Sequence, residues 1–88
     1  MDDTYLIQAY RHSARHRPEV FASAECGCFN CLSIFDSSEI KTWIDTGLTA
    51  VCPRCGMDAV LPSASGVPLG EELLRAMQDR WFPQSKTA

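Results

Sequence analysis

The 88-residue chain, 45% hydrophobic and 22% charged, is long enough for one small domain with a single core. Its formal net charge of −3 disfavours nonspecific binding to nucleic acid, although a local basic patch remains possible. No apolar run reaches the length of a signal-peptide core or a membrane span. We therefore expect a cytoplasmic protein with reduced cysteines and no membrane partner.

The first predicted element is an amphipathic helix that is capped by one of the two N-terminal aspartates and ends near Arg17. Apolar residues recur four positions apart at Leu6 and Tyr10, as on one face of a helix. Pro18 disfavours helical geometry in the preceding residue and can itself open a new short helical turn. Residues 1–25 are thus expected to form a bent helical arm.

Basic side chains are concentrated near the end of this helix. They are Arg11, His12, Arg15, His16 and Arg17. The ordinary explanation is a solvated helix end, where cations complement the helix dipole. The alternative is an anion-binding site formed by the three arginines and Arg54, which would bind phosphate, nucleic acid or an acidic protein surface.

Two cysteine hooks, each a CxxC pair with the turn after it, dominate the centre of the chain. The pairs are Cys28/Cys31 and Cys52/Cys55, and the twenty residues 32–51 separate them. This spacing is typical of zinc ribbons, in which each pair supplies two thiolates to one tetrahedral ion. We therefore expect one structural Zn²⁺, which would bring the net charge of the loaded protein to about −5.

The residue after each pair differs between the two hooks. Gly56 follows the second pair and allows the backbone to turn at positive φ, whereas Leu32 follows the first pair and predicts a turn that is either strained or differently shaped.

A fifth cysteine, Cys26, precedes the first hook, and an odd number of cysteines argues against a closed disulfide framework. Three interpretations are open. Cys26 is a small buried apolar residue, a substitute for Cys28 as a metal ligand, or a reactive thiol whose oxidation releases zinc.

Residues 36–47 predict a helix inserted between the two hooks. Asp36 and Glu39 approximate a capping box, Trp43 lies on the apolar face, and Gly47 suits the C-terminal end. We expect Trp43 to pack in the core rather than to serve as a stacking platform. The segments before and after the second hook are expected to pair as a hairpin.

Residues 62–83 predict a linker and a final helix that begins near Gly70. Its apolar stripe consists of Leu73, Leu74, Met77 and Trp81. Trp81 and Phe82 are expected either to close over the ribbon or to form an interface with a protein partner or a second copy. Residues 84–88 are expected to be a loose tail.

Together these elements predict one zinc-binding α+β domain over residues 1–88. Its zinc-ribbon-like β core, residues 26–61, carries the inserted helix and is flanked by the N- and C-terminal helices.

The segments CGCFNC (26–31), EIKTWID (39–45) and TAVCPRCGMDAV (49–60) carry a resemblance to a family of small uncharacterised bacterial cytoplasmic proteins. The resemblance extends to the RHRPEV segment (15–20) and to a final helix that ends in Trp-Phe. It implies a compact zinc-binding bacterial protein and implies no activity.

The leading functional hypothesis is a nonenzymatic zinc-binding adaptor or regulatory protein that acts through protein–protein contacts. Four thiolates complete the coordination of zinc and leave no position for water or substrate. The first alternative is a nucleic-acid-binding module that uses the basic cluster and Arg54. The second is a small metal-dependent hydrolase or nuclease that uses His12, His16 and Glu19, although no nucleophile and base pattern assigns catalytic residues.

Overall fold

The architecture was derived from a computed structural model, which describes residues 2–83. The helices of this part of the chain are α1 (Asp3–Arg11), α2 (Arg17–Phe21) and α3 (Glu71–Trp81). The strands are β1 (Glu25–Cys28), β2 (Ile34–Asp36), β3 (Trp43–Ile44), β4 (Thr49–Ala50) and β5 (Val60–Pro62). Single 3-10 turns lie at Ser37–Glu39 and Ser63–Ser65. The predicted α+β class is confirmed, and the tail expected at 84–88 lies outside the described residues.

None of the helices within residues 2–83 has the length and apolar character needed to cross a bilayer.

The strands form two separate antiparallel sheets. In the larger sheet the order is β2-β1-β5, and Cys26 of β1 lies opposite Phe35 and Pro62. In the smaller sheet β3 pairs with β4, and Trp43 lies opposite Ala50. The hairpin expected around the second hook is therefore wrong, because the strand before that hook pairs with β3 and the strand after it pairs with β1.

Helix α3 covers the larger sheet at a glycine of its central strand. A Cβ atom at Gly27 would lie only 3.2 Å from side-chain carbons of Leu69 and Leu74, so a larger residue would require these leucines to shift. Leu73, Leu74 and Met77 of the predicted apolar stripe are fully buried, and Gly70 caps the helix as expected. This packing produces the core of the domain.

Helix α1 is shorter than predicted. Asp2 caps it, because its carboxylate accepts a hydrogen bond from the N–H of Tyr5 at 2.9 Å. The helix ends at Arg11 rather than near Arg17, with His12 as its C-terminal cap, and the chain turns again at Arg15, which has a φ of 50°. Pro18 then lies in the first turn of α2, as expected for a residue without an N–H to donate.

The inserted helix predicted over 36–47 is also wrong. Asp36 and Glu39 do form a capping box, but it starts only the 3-10 turn Ser37–Glu39. The chain then extends into β3, whose aromatic and β-branched residues suit a strand. A helix of about ten residues has little stability of its own in water, so the pairing of β3 with β4 decides the conformation. Gly47, at a φ of 87°, therefore belongs to a hairpin turn instead of a helix end.

The segment between α1 and α2 is attached to the β3–β4 hairpin through His16. This side chain is buried; its Nδ1 lies 2.5 Å from the carbonyl oxygen of His12, and its Nε2 lies 3.0 Å from the backbone nitrogen of Ala50. The carbonyl can only accept and the N–H can only donate, so His16 is neutral with its proton on Nδ1. The N–H of Arg17 adds a bond to the carbonyl of Leu48 at 3.1 Å.

Burial lowers the pKa of His16 below its ordinary value of 6.5, against smaller opposing effects of its hydrogen bond to His12 and of Glu19. Between pH 6.5 and the lower pKa of the folded state, His16 is therefore protonated in the unfolded chain and neutral in the folded chain. The contribution of neutral His16 to the free energy of unfolding is fully present above pH 6.5 and decreases as the pH falls below 6.5.

We expect His16→Gln to flatten this pH dependence, because a glutamine amide can also donate and accept but does not titrate in this range. The measurement is urea unfolding of the metal-loaded wild type and variant between pH 7.5 and 5.5. Both proteins release the metal in acid. The difference between their slopes of unfolding free energy against pH therefore measures the contribution of His16. Parallel pH profiles would contradict a neutral buried His16.

Candidate metal centre

The four cysteines of the two hooks come together at one point in the fold. All four Sγ atoms lie within 4.8 Å of one another. The sulfurs of Cys28 and Cys55 are 3.6 Å apart, and those of Cys31 and Cys52 are 3.8 Å apart. Tetrahedral Zn²⁺ with Zn–S bonds near 2.3 Å requires sulfur–sulfur distances of about 3.8 Å. The group therefore has the size and the chemistry of a four-thiolate metal site.

The two hooks use the same hydrogen bonds around their first cysteine. The N–H of Asn30 donates to the Sγ of Cys28 at 3.3 Å, and the N–H of Arg54 donates to the Sγ of Cys52 at 3.3 Å. In each hook the donor lies two residues after the sulfur. Such bonds favour the thiolate form, because they place a positive hydrogen next to the charged sulfur.

The residue after each pair closes the turn in left-handed geometry. Leu32 has a φ of 66° and Gly56 a φ of 81°. Their N–H groups donate to the carbonyls of Cys28 and Cys52, at 2.8 and 3.0 Å respectively. The strain predicted for the first hook is confirmed, since a residue with a Cβ costs roughly 1–2 kcal/mol in this region. Leu32 offsets part of this cost by packing against the core.

Burial and hydrogen bonding give the four thiols different environments. Burial raises the pKa of the Cys28 and Cys52 thiols above the ordinary range. Burial acts on Cys31 in the same direction, but hydrogen bonds from Ser33 and the neighbouring thiols bring its pKa down to about 7. Several thiolates cannot share so small a space unless a cation neutralises them. A divalent ion can bind here in exchange for protons.

Two polar side chains besides the cysteines support the site, and the sequence analysis assigned this role to neither. The amide nitrogen of Asn30 donates to the Sγ of Cys55 at 3.4 Å, and Gln78 of α3 donates to the carbonyl of Asn30 at 2.9 Å. Gln78 is buried next to Met77 of the apolar stripe. A glutamine beside the buried face of a helix is the sequence signal that could have revealed this contact.

Cys26 lies outside the metal-binding group found among residues 2–83. It is fully buried in β1 within the hydrophobic core, and burial raises the pKa of its thiol to about 11. Its place in the core, away from the four clustered sulfurs, favours a small apolar packing residue.

The arginines of the predicted anion site are held by different parts of the fold. Arg54 lies 3.2 Å from a carboxylate oxygen of Glu39, in an exposed ion pair. Arg17 stacks on aromatic rings. Arg11 and Arg15 are exposed and make no ion pair within the described chain. These contacts do not bring Arg17 and Arg54 together in one anion-binding site.

The residues of the predicted hydrolase site are only partly brought together. His12 Nδ1 lies 2.9 Å from a carboxylate oxygen of Glu19. Both ring nitrogens of His16 are occupied by backbone groups, so this histidine has no nitrogen left for a metal. Across residues 2–83 the only group of three or more candidate metal ligands is the cysteine group.

Trp81 and Phe82, the residues of the predicted interface, pack within the chain behind the first hook. Trp81 stacks on Tyr10 with ring centres 4.3 Å apart, and Phe82 contacts Phe29 at 5.5 Å. Phe29 is buried and lies between the two cysteines of the first hook. These aromatic residues therefore anchor the hook to α1 and α3.

Comparisons of the chain with protein-family models, with curated proteins and with solved structures found no match. The resemblance to a bacterial family stays an expectation based on the motifs around the hooks. The function must therefore be argued from the cysteine group and its surroundings.

We expect Cys55→Ser to weaken Zn²⁺ binding by more than the roughly 10- to 100-fold typical of outer-shell changes, because it removes one of the four sulfurs. Cys55 is exposed, so this substitution loses no core packing. The matched variant Cys26→Ala should keep one ion per chain and lose only about 1 kcal/mol of stability through a small cavity. Native mass spectrometry and chelator competition measure both effects. Metal loss in Cys26→Ala would contradict this assignment of ligands.

We expect Gly56→Ala to lower the free energy of unfolding by about 1–2 kcal/mol, because alanine is strained at positive φ. The open space around this residue excludes a steric clash as the cause. Gly56→Asn should cost less, since asparagine tolerates left-handed geometry. Urea unfolding of the zinc-loaded proteins measures the difference. Equal losses in the two variants would contradict a conformational origin.

Proposed function

We propose that this protein is a nonenzymatic zinc-binding module that acts as an adaptor or regulator through protein–protein contacts. The observation that carries the proposal is the closed group of four cysteine sulfurs, presented by two hooks with matching hydrogen bonds. Such a group fits one Zn²⁺ in a structural role.

The coordination chemistry argues against catalysis at the metal. When bound, Zn²⁺ accepts four thiolates and has no open position at which to activate water or a substrate. The nearby side chains contribute outer-shell support, since Asn30 donates to Cys55 and Gln78 holds Asn30. This arrangement orients ligands and provides no general base.

The size of the fold explains why a metal is useful. The strands are only two to four residues long, and both hooks lack regular secondary structure beyond the end of β1. A domain of this length buries a limited fraction of its surface. Structural zinc contributes roughly 10–16 kcal/mol in small modules, which is comparable to or larger than the whole net stability of such a domain.

The charge distribution supports protein rather than nucleic acid as the partner. The formal charge is −3, and four thiolates with one divalent ion make it more negative. Arg54 is paired with Glu39, so this part of the predicted basic site is already neutralised. A nucleic-acid surface needs several cations in a continuous track.

We expect chelation of the metal to unfold the protein and abolish capture of its partners. Native mass spectrometry should find one Zn²⁺ per chain, and circular dichroism should follow loss of structure on chelation and its recovery on adding zinc. Affinity capture from a cell extract should recover proteins with the wild type that are absent with Cys55→Ser. A folded protein without any metal, or identical recoveries with both baits, would contradict the proposal.

A further inference from the structure

The most exposed large hydrophobic side chain among residues 2–83 is Phe21, at the end of α2, with 67% of its surface accessible. The side chains of Arg17 and Trp43 lie next to it. The guanidinium carbon of Arg17 lies 5.0 Å from the centre of the Phe21 ring and 4.6 Å from the centre of the Trp43 ring. The two rings are themselves 5.6 Å apart. We call these three residues the aromatic–arginine patch.

The patch is held in place by backbone contacts. Arg17 Nη1 donates to the carbonyl of Gly47 at 2.7 Å, and the N–H of Arg17 donates to the carbonyl of Leu48. These bonds connect the patch to the β3–β4 turn. A surface whose side chains are already positioned loses little conformational entropy on binding.

The guanidinium of Arg17 keeps capacity for a further ligand. It has five N–H donors in one plane, and its hydrogen bond to Gly47 uses one of them. The Phe21 and Trp43 rings contact the guanidinium from one side, and its remaining N–H donors are available to an acceptor. No carboxylate within residues 2–83 forms an ion pair with Arg17. Planar guanidinium edges are well suited to bidentate binding of carboxylates.

A second cation that is unpaired within residues 2–83 lies close to Arg17 in the chain. Arg15 is exposed, lies two residues from Arg17 and makes no ion pair in the described chain. Two carboxylates lie in the neighbouring elements: Glu19 contacts His12, and Asp45 accepts a hydrogen bond from Thr49. Neither forms an ion pair with Arg15 or Arg17, so both guanidinium groups can still pair with the carboxylate of a ligand.

We propose that the aromatic–arginine patch docks an acidic peptide segment of a partner protein. An apolar side chain of the segment packs against Phe21 and Trp43, and an adjacent carboxylate binds the edge of Arg17. Aromatic and arginine side chains are the residues that dominate binding energy at protein interfaces. The inference rests on the proposed adaptor function and names its partner class.

The other occupants fit these observations less well. A nucleic acid would meet the negative charge of the cysteine group and of the whole chain. Two copies of a chain with a formal net charge of −3 repel each other, which disfavours a second copy as the occupant. An acidic partner segment satisfies both the apolar and the cationic part of the patch.

The test is selection of peptides from a random display library on the zinc-loaded full-length protein. We expect enrichment of sequences with an apolar or aromatic residue flanked by Asp or Glu. A synthetic peptide of the enriched sequence should bind about tenfold or more weakly to Phe21→Ser. Its binding should also weaken with Arg15→Glu and with increasing salt. The matched control is Ile34→Ser, which removes an exposed apolar side chain from β2 and should leave binding unchanged.

Several results would overturn the inference. They are enrichment of basic or uncharged peptides, binding that Phe21→Ser does not weaken, displacement of the peptide by nucleic acid, and a dimer in analytical ultracentrifugation that Phe21→Ser dissociates. A Phe21→Ser bait that still captures the zinc-dependent partners would disprove the patch and leave the adaptor function standing. Failure of both the library and the capture experiment would reject the two proposals together.

Discussion

The rest of the structure depends on the convergence of four sulfur atoms from two hooks that lie twenty residues apart in the chain. Four thiolates within 4.8 Å would repel one another strongly, and a divalent cation turns this repulsion into a cross-link. The first hook continues β1 and the second lies between β4 and β5. A metal at this point therefore joins the larger sheet to the smaller hairpin, two units that share no strand.

A second junction, made without metal, fixes the other side of the hairpin. His16 connects the carbonyl of His12 to the N–H of Ala50, two residues before Cys52. The helical arm and the second hook are thus positioned by the same short strand. This arrangement explains a buried histidine in a basic segment, because only a neutral imidazole can donate at one nitrogen and accept at the other.

The aromatic residues divide into two groups with different surroundings. One group (Tyr10, Phe29, Trp81 and Phe82) packs together behind the first hook. The other, Phe21 and Trp43, contacts the guanidinium of Arg17 near the surface. The first group surrounds Phe29, which is buried, whereas Phe21 at the end of the short helix α2 is 67% exposed. Residues of similar chemistry therefore support the core in one place and form a candidate docking surface in another.

Sequence patterns were sufficient to predict the strained turn at Leu32 and the buried stripe of α3, which depend on residues close together in the chain, and the cysteine group, because the spacing of two CxxC pairs is itself typical of one metal site. The region from 36 to 47 was not predictable in this way, since its apolar spacing fits a helix while its structure is a hairpin. Only the tertiary structure decided this, through the pairing of Trp43 with Ala50 and the hydrogen bond from Ala50 to His16, 34 residues away. Contacts between distant residues outweigh weak local propensities in short segments, so the packing of the chain, rather than its local pattern, selected the hairpin.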